Sequence, residues 1–189
     1  MAGCSCTSVR FEGLSPGYRR ALLAVIAINA VMFAVEMTAG ALAGSQALKA
    51  DALDFLGDTL TYAISLWAIG RLLGVRAGAA LAKGISLGAM GLWVFGATLW
   101  HVLATGVPDA PIMGAVGALA CAANIASVLL LLRYRDGDAN VRSVWLCSRN
   151  DAIGNVAVIG AAGAVAATGS AWPDLLVAAA MAGLFLWSA

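Results

Sequence analysis

Charged residues are scarce in this sequence. Asp, Glu, Lys and Arg make up 11% of its 189 residues, whereas soluble globular domains carry about 25%. Hydrophobic residues reach 62%, and the mean hydropathy is +0.91. This composition excludes a soluble enzyme, a nucleic-acid-binding protein and a disordered chain. It indicates an integral membrane protein.

Histidine and cysteine are scarce as well. The single histidine, His101, has no evident nucleophile as a partner, so we expect no enzyme. The four cysteines divide between the N-terminal tail and the apolar runs, and they are Cys4, Cys6, Cys121 and Cys147. This distribution does not favour structural disulfides. The net charge of +1 points to no particular partner.

Long apolar runs fill most of the chain. They cover residues 21–43, 48–73, 78–104, 111–132, 144–167 and 175 to the end. A membrane-spanning helix takes about 20 residues, and the runs are continuous rather than alternating, which disfavours a closed barrel. We therefore predict an all-α, polytopic membrane protein with six transmembrane helices and no room for a soluble domain.

Basic residues lie almost entirely on one side of these predicted helices. That side holds Arg10, Arg19, Arg20, Arg71, Arg76, Arg133, Arg135 and Arg142. The opposite side holds only Lys49. The positive-inside rule therefore places both termini in the cytoplasm. A cleaved signal peptide is disfavoured, because the first apolar run exceeds the about 7–15 residues of such a peptide's apolar core.

Three carboxylates interrupt the second apolar run. Asp51, Asp54 and Asp58 are spaced by three and four residues, so they share one face of a helix. Each costs at least about 2.5–3.5 kcal/mol at the membrane centre. Because the three groups repel one another, protons or a cation must compensate their charge.

The fifth apolar run carries a matching set of polar groups. Cys147 and Asp151 are four residues apart on one face, and Asn155 extends that face by a turn. If this face meets Asp54 and Asp58, three carboxylates and one thiol come together. Such a set suits a tetrahedral ion such as Zn²⁺, and the thiolate adds affinity for Cd²⁺. Mg²⁺ and Ca²⁺ fit less well, since they prefer more oxygen ligands.

Two of these residues have simpler interpretations. Asp51 lies near the start of its helix, so it could cap the helix, or support the metal ligands, instead of binding a cation directly. A buried cysteine usually packs as a small hydrophobic residue, and this alternative stays open for Cys147.

Two stretches resemble the signatures of cation diffusion facilitators. Residues 44–48 and 50–58, GSQAL followed by ADALDFLGD, resemble the second-helix signature, His/Asp-x-x-x-Asp after a Gly-Ser-x-Ala-Leu turn. Residues 141–151, VRSVWLCSRND, resemble the fifth-helix signature, which usually reads His-x-x-x-Asp. Glu36, one turn before Gly40, also fits the family.

The resemblance implies a transporter that exports divalent metals from the cytoplasm in exchange for protons. Zn²⁺ is the expected substrate, with Cd²⁺, Co²⁺, Fe²⁺ or Mn²⁺ as alternatives, and we expect no permanently bound cofactor. By position, the metal ligands are Asp54, Asp58, Cys147 and Asp151. Supporting groups or proton carriers are Asp51, Asn155 and Glu36.

The chain departs from the family in two respects. Cys147 replaces the usual histidine and Asp54 replaces the histidine of many zinc transporters, which leaves the metal preference open. Family members also usually continue into a cytoplasmic dimerising domain. Here we expect a cytoplasmic tail at residues 1–19, a six-helix transport domain at 20–189, and no C-terminal soluble domain.

The remaining expectations concern partners and location. Cys4 and Cys6 could capture a soft metal at the cytoplasmic mouth, or they could be incidental to a mobile tail. We expect a multi-pass protein of the bacterial inner membrane that interacts with metal ions, protons and lipid but with no nucleic acid. A homodimer formed through the transmembrane helices stays open. The competing function is a membrane metal sensor or accessory subunit without transport activity.

Overall fold

The computed structural model describes residues 15–68, 73–104, 106–136 and 139–188. These residues form six helices and, over the same ranges, no strand. The helices are α1 (Pro16–Ala43), α2 (Gln46–Ala68), α3 (Leu73–Ala104), α4 (Ala110–Leu131), α5 (Ala139–Thr168) and α6 (Trp172–Ser188). The prediction of an all-α protein with six helices is therefore confirmed.

Each helix begins before its predicted apolar run, so the helical backbone extends beyond the apolar residues at that end. The clearest case is α1, which starts at Pro16 and so includes the last residues of the predicted tail. The Oγ of Ser15 accepts a hydrogen bond from the backbone N–H of Tyr18 at 3.2 Å and caps this start. A short 3-10 turn, Leu132–Tyr134, extends α4 at the same end of the bundle.

A tight turn joins α1 to α2. Gly44 has a φ of 69°, a left-handed conformation that favours glycine. The N–H of Ser45 then donates to the carbonyl of Gly40 at 3.0 Å, which closes the end of α1. A Cβ on Gly40 would lie 3.1 Å from the Cβ of Leu48. Glycine at this position therefore lets the two helices approach closely just beyond the turn.

Three helices in the described part of the chain are long and apolar enough to cross a membrane. They are Pro16–Ala43, Ala110–Tyr134 and Val144–Thr168, and a shorter apolar helix covers Trp172–Trp187. Helix α2 has 23 residues and owes its lower hydropathy to the charges of Lys49, Asp51, Asp54 and Asp58. Together, the apolar helices indicate an integral membrane protein.

Helix α2 lies at the centre of the bundle, in contact with α1, α3, α5 and α6. Helix α4 packs on α1 and α5, while α3 packs on α6 and α2. One hydrophobic cluster, at the end of the bundle where α1 begins, contains Tyr18, Tyr62, Leu131 and Val144. Another, near the opposite end, contains Ala47, Leu48, Met113 and Val158. The aspartates of α2 lie between these two clusters.

Candidate metal transport site

The packing of α2 against α5 sets the register of the site. At the end of the bundle where α1 begins, the Tyr62 hydroxyl donates to the carbonyl oxygen of Val144 at 3.5 Å. Near the other end, Leu48 and Val158 belong to one buried cluster. Segments 48–62 and 144–158 therefore run antiparallel beside each other and are equal in length. The middle of each segment carries the residues predicted as ligands.

The structure brings the predicted ligands of the two helices together. Asp58 on α2 and Asp151 on α5 lie within side-chain hydrogen-bonding reach of each other. Asp54 and Cys147 are close enough to Asp151 to interact with it electrostatically. All four side chains are half-buried, between the bundle core and open space. The predicted meeting of the two helix faces is therefore found in the structure.

The contact between Asp58 and Asp151 has a direct chemical meaning. An ionised carboxylate can only accept hydrogen bonds, so two carboxyl groups can bond to each other only when one carries a proton. A proton shared by the pair would compensate one negative charge, where a divalent cation would compensate two. The same pair can thus hold a proton or take part in holding a metal ion.

Tyr62 is a further residue of this site, and the sequence-based interpretation missed it. Its phenol lies within hydrogen-bonding reach of Asp58 and near Cys147 and Asp151. The side chain is 1% exposed. The signal was its spacing, since Tyr62 follows Asp58 by four residues and continues the face of Asp54 and Asp58.

The approaching side chains do not form a closed coordination shell. Among the residues that the structure describes, no three His, Cys, Asp or Glu side chains are grouped so that they could hold a metal ion. Coordination by all four groups would therefore require them to move closer, either by a change of rotamer or by a shift of α5 against α2. Metal binding by this set stays a prediction.

Comparison with known proteins bears on the first two helices. Residues 22–72 match the cation efflux transmembrane domain. The resemblance to cation diffusion facilitators is confirmed over this range. A comparison with curated proteins finds no significant match. The match supports a role in cation efflux.

The range that matches the cation efflux domain holds only part of the site. It includes Asp54 and Asp58, whereas Cys147 and Asp151 lie beyond it. We call residues 22–72 the cation efflux segment. Its link to α5 rests on the geometry of this chain, in which Asp58 reaches Asp151.

A second pair of carboxyl groups lies within the cation efflux segment. Glu36 on α1 is fully buried and faces Asp51 on α2, which is 1% exposed. Neither carboxylate oxygen of Glu36 has a hydrogen-bond partner among the described residues, nor does the Oδ2 of Asp51. Buried carboxyl groups without partners are costly in apolar surroundings. This pair therefore needs a proton or a cation as much as the aspartates below it do.

Asn155 lies level with these carboxyl groups on α5. It follows Asp151 by one turn and is fully buried. Both polar atoms of its amide lack a hydrogen-bond partner within the described ranges. The side chain can therefore form hydrogen bonds with a water molecule or a protonated group, or bind a passing cation through its oxygen. Its predicted role as a supporting group or proton carrier stays untested.

Asp51 does not cap α2, so the interpretation of this residue as a helix cap is wrong. The cap is Ser45, whose Oγ accepts a hydrogen bond from the N–H of Leu48 at 3.0 Å. The carboxylate of Asp174 on α6 accepts hydrogen bonds from the N–H groups of Gln46 and Ala47 at 2.8 and 3.1 Å. Because the first N–H groups of α2 are satisfied by these two residues, Asp51 is available for another role.

The other polar residues predicted from the sequence lie away from this site or outside the structure. Cys4 and Cys6 lie outside the described residues. His101 is half-buried in the last turn of α3, an element that carries none of the predicted ligands. Arg149 is exposed and does not contact Asp151; its guanidinium carbon lies 5.6 Å from the centre of the Trp145 ring.

Proposed function

We propose that this protein exports divalent transition-metal cations in exchange for protons, at a site between α2 and α5. The observation that carries the proposal is the approach of Asp58 to Asp151, with Asp54 and Cys147 beside them. It joins a helix of the cation efflux segment to the polar face of α5. The alternative is a metal sensor or accessory subunit that binds without transporting.

Exchange follows from competition for the same atoms. A metal ion arriving from the cytoplasm binds carboxylate and thiolate groups only after they lose their protons. Binding therefore displaces the proton between Asp58 and Asp151 and draws in Asp54 and Cys147. When the site opens to the other side, protons rebind the carboxylates and release the metal. An inward proton gradient then drives export of the cation.

Chemistry of the ligand set favours Zn²⁺ and softer ions. Three carboxylates and one thiolate satisfy a four-coordinate ion, and the thiolate of Cys147 strengthens binding of Cd²⁺. Co²⁺, Fe²⁺ and Mn²⁺ are further candidate substrates. Glu36 and Asp51 would carry the exchanged protons, and the amide of Asn155 would support them by hydrogen bonding. In this proposal the protein acts in the bacterial inner membrane, and a homodimer would form through its helices.

The deciding experiment compares Asp58→Asn with the wild type in proteoliposomes that contain a Zn²⁺-sensitive dye. Replacing a group outside the ligand shell typically changes metal affinity by about 10–100-fold, so we expect removal of a ligand to abolish flux. Asp109→Asn is the matched control, because Asp109 is exposed and caps α4 away from the site. Both variants should insert and purify like the wild type.

Two results would contradict the proposal. Normal Zn²⁺ flux by Asp58→Asn would show that this site is not on the transport path. Metal binding by the wild type without any flux, over the whole series of candidate metals and with a proton gradient imposed, would favour the sensor or accessory subunit.

Cys147→His tests the contribution of the thiol. Because imidazole is a harder ligand than thiolate, we expect the ratio of Cd²⁺ to Zn²⁺ flux to fall while flux itself persists. Cys121→Ser is the control, since the Cys121 thiol donates to the carbonyl of Ala152 at 3.7 Å and replaces no predicted ligand. An unchanged ratio of Cd²⁺ to Zn²⁺ flux in Cys147→His would show that Cys147 is a packing residue and not a ligand.

A further inference from the structure

One face of α5 points away from the bundle over most of its length. Residues at spacings of seven, four, three and four share this face, and they are Arg142, Arg149, Ile153, Val156 and Gly160. All five are exposed, and a Cβ on Gly160 would meet no atom within 4 Å. We call these five residues the outer face of α5.

Arg149 is the unusual member of this face. It lies five residues inside the apolar span Val144–Thr168, about 7.5 Å along the helix. Its side chain donates to the Oδ1 of Asn150 at 3.3 Å and lies over the ring of Trp145. Both partners are neutral, and no carboxylate in the described ranges forms a salt bridge with it. An uncompensated charge inside an apolar span is costly.

We propose that the outer face of α5 binds an anionic phospholipid of the cytoplasmic leaflet. Arg149 extends toward the membrane surface, as long basic side chains do, and its guanidinium binds the lipid phosphate. The planar fork of arginine suits two parallel hydrogen bonds to phosphate oxygens. Arg142, two turns closer to the cytoplasm, attracts the anionic headgroup.

The order of residues along the face matches the parts of a phospholipid. The two arginines occupy its cytoplasmic end, and the ring of Trp145 lies between them at the depth where aromatic residues collect. Above them, Ile153 and Val156 are 65% and 59% exposed. An acyl chain attached to the bound headgroup would lie along these two side chains.

A second copy of the chain fits this face less well. Two copies that pack in the same orientation through the same face would place Arg149 opposite its own equivalent, at the same depth. Like charges opposed in an interface are destabilising. A lipid phosphate compensates the charge, whereas the second copy doubles it.

The experiment titrates the purified full chain with phosphatidylglycerol or phosphatidylcholine and counts bound lipids by native mass spectrometry. Arg149→Gln should weaken phosphatidylglycerol binding by about fivefold, the effect of one arginine near an anionic membrane surface. It should leave phosphatidylcholine binding unchanged. Arg149→Lys should recover part of the loss. Arg135→Gln should match the wild type, because Arg135 is exposed off this face and pairs with Asp136 at 3.3 Å.

Three outcomes would overturn the inference. One is equal binding of the two lipids by the wild type. Another is equal phosphatidylglycerol binding by Arg149→Gln and Arg135→Gln. The third is efficient disulfide formation between chains that carry Ile153→Cys in phosphatidylglycerol bilayers, which would assign the face to a second copy. Equal melting temperatures of the wild type and Arg149→Gln in phosphatidylcholine exclude misfolding as the cause of a loss.

Discussion

Asp174 offers the sharpest test of how the bundle is held together. It lies in the first turn of α6, is 1% exposed, and accepts three hydrogen bonds from the start of α2. The donors are the Ser45 hydroxyl at 2.6 Å and the N–H groups of Gln46 and Ala47 at 2.8 and 3.1 Å. Its negative charge also lies at the positive end of the α2 dipole.

Asp174→Ala should lower the free energy of unfolding by about 3–5 kcal/mol. The change leaves two buried backbone N–H groups without an acceptor, and each such group costs about 1–3 kcal/mol. The Ser45 hydroxyl still caps Leu48 and so limits the loss. Asp174→Asn retains one acceptor oxygen and the shape of the side chain, so we expect about half of that loss.

The assay is thermal unfolding of the purified protein in one detergent, followed by circular dichroism. Asp109→Ala is the matched control, because the Oδ1 of Asp109 accepts a single hydrogen bond from the N–H of Ile112 at 3.0 Å in an exposed cap. Loss of such a cap costs about 1 kcal/mol. Equal destabilisation by Asp174→Ala and Asp109→Ala would refute the reasoning that burial and multiple donors set the magnitude.

Two further predictions follow from the packing and from the site. Gly91→Ala should destabilise the protein by about 1–3 kcal/mol, because the new Cβ would lie 2.9 Å from the Cγ of Leu186. Gly96→Ala is the control and should be neutral, since Gly96 faces open space on the same helix. Equal melting temperatures of the two variants would contradict this prediction. Zn²⁺ affinity should rise with pH, because binding must release the proton between Asp58 and Asp151. Calorimetry in buffers of different ionisation enthalpy counts that proton, and a pH-independent affinity without proton release would exclude this linkage.

The helices and the ligand faces could be predicted from the sequence because both depend on local spacing. A continuous apolar run in lipid must satisfy its backbone hydrogen bonds within the segment, which requires a helix. The spacing of Asp54 and Asp58, and of Cys147 and Asp151, fixes which helix face each pair occupies whatever the neighbours are. The structure then supplied the register that brings Asp58 to Asp151.

Partners that are distant in sequence could not be predicted in this way. The sequence places Asp174 just before the sixth apolar run and does not single it out, yet its carboxylate satisfies the beginning of another helix 129 residues earlier in the chain. The role of Asp51 stayed ambiguous for the same reason, since only the observed hydrogen bonds of Ser45 and Asp174 remove the need for a third cap. Local patterns do not encode which helix end lies beside which.

The bonds of Asp174 determine where the bundle can bend. At the α1–α2 turn, Ser45 is tied to α6, and the N–H of Asp109 at the start of α4 donates to the carbonyl of Ala43 at 2.9 Å. Three helix connections are thus fastened together at the end of the bundle opposite the start of α1. A tilt of α6 against α2 would pivot at these bonds, and the displacement would grow with distance along the helices. A small rotation about these bonds would therefore produce the largest opening at the other end of the bundle.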